Sequence, residues 1–111
     1  MSAGNGFDAE TLHREGIGLV VLGVAVEPLP DRGQTGTVYW SGSNGGVSVG
    51  VAYTPMEPLP WVVRRSYWAG KTHPESVYRG EAMTLAEAIA RVEMDEDIQR
   101  DPSLIGLAVA S

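Results

Sequence analysis

The sequence predicts a single α+β domain over residues 1–111: a mainly antiparallel sheet of four or five strands, one main helix over about 84–97 packed on one face, and a short N-terminal helix. Three observations carry that prediction. Val-rich apolar runs recur along the first two thirds of the chain, a glycine-rich turn joins two of them, and one helical apolar stripe follows near residue 85. A chain of this mass folds to roughly 5,900 Å² of surface from roughly 17,000 Å² unfolded, enough for one modest core and no second lobe.

The first element is a helix over Phe7 to Glu15, with Asp8 as its cap and Gly16 as its left-handed stop. Ile17 to Val26 (IGLVVLGVAV) is β-branched and apolar without alternation, so it reads as one strand buried on both faces at the sheet centre. Pro28 and Pro30 end it, because neither can donate to a ladder. TVYWS, GSNGG and VSVGVAYT then read as strand, turn and strand. In the second arm Val47, Val49, Val51 and Tyr53 alternate with Ser48, Gly50, Ala52 and Thr54, giving one apolar face and one small, polar face. Pro55, Pro58 and Pro60 make an extended connection to a further strand, Trp61 to Trp68 (WVVRRSYW).

Ala69 to Ala82, with Gly70, Pro74 and Gly80, reads as a loop. Thr84 and Glu87 form a capping box for the main helix, whose stripe is Leu85, Ala88, Ile89 and Val92 and weakens at Asp95-Glu96-Asp97. Leu104 to Ala110 is apolar enough for a last strand, with a short tail packed on the core as the alternative.

Composition restricts function. The absence of cysteine excludes a disulfide scaffold, a zinc ribbon and thiol catalysis, and with no cationic segment among the first ten residues a cytoplasmic protein is expected. The longest apolar run is ten residues, well short of the ~20 that cross a bilayer, so no membrane partner is expected. The net charge of −6 disfavours nucleic acid and favours a basic protein partner.

Catalytic groups are sparse. The two histidines are His13, expected to face solvent, and His73, in the expected loop near Ser66, Glu75 and Ser76. Neither sits in a nucleophile-bearing turn, and His13 with Glu10 supplies at most two metal ligands, so no catalytic residue, metal or cofactor is assigned. GSNGG lacks the following lysine and helix of a phosphate loop.

Two stretches are interaction-like. Trp61, Arg64, Arg65, Tyr67 and Trp68 are the residue types that dominate protein interfaces; the competing reading buries both tryptophans and lets the arginines reach the surface. Glu93, Asp95, Glu96 and Asp97 form an acidic cluster that could dock a basic partner or simply line a solvated helix face. The hairpin, the further strand and the TLAEA helix resemble small antitoxin and immunity domains over half the chain. That resemblance implies an acidic protein that inhibits by binding. The expected function is therefore a non-enzymatic protein-binding module that neutralises a basic partner. The alternative is a structural subunit of a homomeric or viral-type assembly, such as a phage capsid or tail.

Overall fold

A computed structural model describes residues 9–30, 36–68, 72, 74 and 76–100. The domain is α+β, as the pattern of the sequence predicts, and its elements are α1 (Ala9–Arg14), β1 (Leu19–Val21), β2 (Val24–Pro28), β3 (Val38–Asn44), β4 (Val47–Tyr53), β5 (Trp61–Tyr67), β6 (Ser76–Ala82) and α2 (Leu85–Arg100). The six strands form one sheet in sequence order, every neighbour antiparallel. The sheet curls into a half-barrel.

The strand count exceeds the expected four or five for two reasons. Ile17 to Val26 is not one central strand: it folds back at Leu22 and Gly23, whose φ angles of 54° and 78° make the two-residue turn of a hairpin, and it lies at the sheet edge. Its apolar run conceals an alternation in which Val21, Val24 and Val26 are buried and Val20 is 75% exposed. The second extra strand is β6, the end of the expected loop, where Ser76, Tyr78, Gly80 and Ala82 face inward. Gly80 looked like a turn residue. It is instead the place where α2 crosses the sheet, for a β-carbon there would collide with the Ala88 carbonyl oxygen and stand 2.9 Å from the Val92 nitrogen.

The β3–β4 hairpin forms as expected, but its turn is only Gly45 and Gly46; Gly42, Ser43 and Asn44 belong to β3. Gly42 admits β2, whose Ala25 carbonyl occupies the space a β-carbon would need. Thr54 N–H donates to the Pro60 carbonyl at 2.9 Å, so the proline-rich connection is a closed loop rather than an extended one.

One face of the sheet holds the core. Val38, Trp40, Val49, Val51, Trp61 and Val63 are buried there beneath Ala9 of α1 and Ala88 and Val92 of α2. Trp40 stacks on Trp61 at 6.3 Å and donates from its indole nitrogen to the Ile17 carbonyl. His13 is not at the surface as expected: it is buried, edge-on to Trp40, with Nε2 bonded to the Leu29 carbonyl. Gly16, at φ 74°, ends α1 with Gly16 and Ile17 amides bonded to His13 and Leu12 carbonyls. The Thr84 hydroxyl accepts from the Glu87 amide at 3.2 Å and donates to the Glu87 carboxylate, so α2 starts where the capping box places it. It runs three residues past the expected end at Asp97. Phe7, Asp8 and Leu104 to Ala110 lie outside the described residues.

Candidate functional site: the uncovered face of the sheet

Alternation decides which side chains reach the second face. Because Val38, Trp40, Val49, Val51, Trp61 and Val63 point to the core, Tyr39, Ser41, Gly50, Ala52, Val62 and Arg64 point away from it. α1 and α2 contribute nothing to this side, since both pack on the core face, so among the described residues no helix covers it. An open groove of about 340 Å³ runs across its middle, floored by Gly50 and Ala52 and walled by Leu29, Tyr39, Val62, Arg64 and Arg79. Tyr39 is 38% exposed and Leu29 41%. The strand pairing aligns one row across the groove: Glu27, Ser41, Gly50, Arg64, Arg79. The row is acidic at β2, small in the middle and cationic at β5 and β6. Arg79 pairs with Glu81, whereas Glu27 and Arg64 make no ion pair among the described residues.

The structure divides the nine residues singled out in the sequence. Trp61 is core, 5% exposed. Arg64 and Trp68 belong to the uncovered face, Trp68 with its indole N–H donating to Ser48 Oγ at 2.8 Å. Arg65 and Tyr67 point the other way and meet Glu96, a buried carboxylate that accepts from both and also pairs with Arg100. Burial alone would raise the Glu96 carboxyl; the bonds from Tyr67 and Arg65, with the charges of Arg65 and Arg100, overcome it and hold the group below the usual carboxylate range. Burial pulls the Arg65 guanidinium down, but Glu96 and Tyr67 outweigh it and keep Arg65 charged. Asp95 accepts from the Arg79 amide at 3.2 Å and so closes the outer edge of β6. Glu93 and Asp97 alone of the acidic cluster are fully at the surface. Arg65, Tyr67 and Glu96 thus anchor α2 to the sheet, and a 230 Å³ cavity beside Arg65 and Tyr67 separates them from the β1–β2 turn.

Glu27, Tyr39, Ser41 and Val62 were not singled out in the sequence. The small, polar face of β4 was legible there, and it marked the floor of the groove. Its walls depended on β6 and on the register of β2, which the local pattern hides.

Among the described residues no three His, Asp or Glu side chains gather to hold a metal ion, and no helix is long and apolar enough to cross a membrane. Comparisons with protein-family models, with curated proteins and with solved structures find no match.

Proposed function

We propose that this chain is a non-enzymatic protein-binding module whose contact surface is the uncovered face of its sheet. The observation that carries the reading is the open groove over Gly50, with exposed Leu29 and Tyr39 on one side and Arg64 on the other. Apolar and aromatic side chains beside an arginine that forms no ion pair among the described residues are the composition of an interface centre rather than of a solvated sheet face. Glu93 and Asp97, exposed on α2, are the acids left to steer a basic partner, which fits an inhibitor or neutralising protein of the antitoxin or immunity type. A structural subunit of a homomeric assembly is the second reading, favoured by the separation of charge along the Glu27 to Arg79 row.

The test is site-specific photo-crosslinking in the native host, with the reactive side chain at Ser41 and, as control, at the exposed Glu15 near α1. A protein adduct at Ser41 beyond that at Glu15 supports the reading. Equal, negligible adducts at both overturn it.

A further inference from the structure

Building on the reading that the uncovered face is a contact surface, we infer that its occupant is a second copy of this chain, held face to face by reciprocal Glu27–Arg64 pairs about a two-fold axis along β3 and β4.

Glu27 and Arg64 share one row of the sheet but lie three strands apart, about 14 Å at the usual strand spacing, too far to pair within one chain. A two-fold axis parallel to the strands, midway between β3 and β4 and between the two sheets, exchanges β2 with β5 and β3 with β4 while keeping each row opposite itself. It sets Glu27 against the second copy's Arg64, twice. The same operation lays Ser41 over Gly50 in that row, and in the next row Leu29 over Val62 and Tyr39 over Ala52. Charge meets opposite charge, aliphatic meets aliphatic, and the aromatic ring enters the groove above a methyl group. A two-fold axis across the strands would oppose Glu27 to Glu27 and Arg64 to Arg64 when it runs through that row, and would set both charges over aliphatic Leu29 and Val62 when it runs between the rows, so only the axis along the strands pairs the charges.

Small side chains at the axis let the sheets come at least as close as the ~10 Å usual for packed sheets. The four strands β2 to β5 and three rows of outward residues cover about 400 Å² per copy, or about 800 Å² in all, at the weak end of protein interfaces. The dimer is accordingly one that dissociates on dilution. Glu93 and Asp97, on the helix behind the sheet, stay outside the contact and remain open to a basic partner.

The test is analytical ultracentrifugation of the full chain from micromolar to near-millimolar concentration. The variants are Glu27→Arg, Arg64→Glu and the double exchange. Both residues are exposed, so the folds should stand, and circular dichroism checks this. The expected result is a wild-type dimer, roughly tenfold or more weaker in either single variant because two attractions become two repulsions, and recovered in the double exchange. A wild type that stays monomeric throughout overturns the inference, and so does a dimer indifferent to both single variants or not recovered by the exchange. If the chain is monomeric yet Ser41 crosslinks a different protein, the second copy is wrong and the contact surface stands; with no crosslink either, both fall.

Discussion

Gly80 and Gly50 sit on adjacent rows of neighbouring strand pairs, point to opposite faces, and should respond oppositely to the same added methyl group. At Gly80 a β-carbon would strike the Ala88 carbonyl oxygen and stand 2.8 Å from Arg91 Cβ and 2.9 Å from the Val92 nitrogen. These atoms span a full turn of α2, two of them backbone, so no side-chain rotation relieves the contact and the helix must lift as a body. Overpacking of this kind costs about 1–3 kcal/mol; the ~0.5 kcal/mol that alanine gains over glycine in a strand offsets part of it. The net expectation for Gly80→Ala is about 1.5 kcal/mol of destabilisation, a fall in Tm of roughly 6 °C for a domain of this size. At Gly50 nothing stands within 4 Å and φ is not in the left-handed region. Gly50→Ala should therefore be neutral or stabilising by about 0.5 kcal/mol. Urea unfolding in dilute solution, followed by the fluorescence of buried Trp40 and Trp61, measures both. If Gly80→Ala is as stable as Gly50→Ala, α2 does not cross β6 at backbone contact, and the assignment of the two faces fails with it.

Glu96 makes stability depend on acid. Its folded carboxyl lies below the usual range, so its contribution is complete above the unfolded value of about pH 4.3 and is lost as pH falls through the lower folded value; Glu96→Gln should be less stable at neutral pH and show a shallower acid decline in urea midpoints. Met56 is 95% exposed at φ 112°, so Met56→Gly should remove backbone strain at no packing cost and raise stability by about 1 kcal/mol, read as a higher melting temperature. Thr84→Ala leaves the Glu87 amide without its cap and should cost about 1 kcal/mol, with hydrogen exchange rising first in the opening turn of α2.

The α+β class, the β3–β4 hairpin, the inward face of β4 and the start of α2 were legible because each rests on local chemistry: alternation, a glycine turn, a capping box. The β1–β2 hairpin was not, because its turn places a leucine at φ 54° inside an apolar run that looks continuous. β6 was hidden by Gly80, whose reason is a helix that arrives later in the chain. The same non-local logic divided WVVRRSYW. Alternation along a strand puts Arg64 and Arg65 on opposite faces, but only the arrival of Glu96 shows that Arg65 is internal and Arg64 is not. Likewise the acidic stretch ends the apolar stripe of α2 without ending the helix, since Glu96 is buried by its partners rather than by its own hydrophobicity.

Three glycines lie inside the paired strands, and their differences bear on what the protein contacts. Glycine weakens a strand interior, and where it occurs it usually marks a bulge or the close approach of another group. Gly42 has the Ala25 carbonyl above it and Gly80 has α2, so folding explains both. Gly50 is at the centre of β4, paired on both sides, and no described atom lies above it. Its neighbours on that face are Ser48 and Ala52, again poor strand formers where Thr or Val would stabilise the sheet. Nothing within the described fold requires that strip to be small. A surface that approaches from outside, as proposed above, would require it, and the relation of Glu27 to Arg64 and of Leu29 to Val62 about an axis between β3 and β4 fits that same surface turned over upon itself.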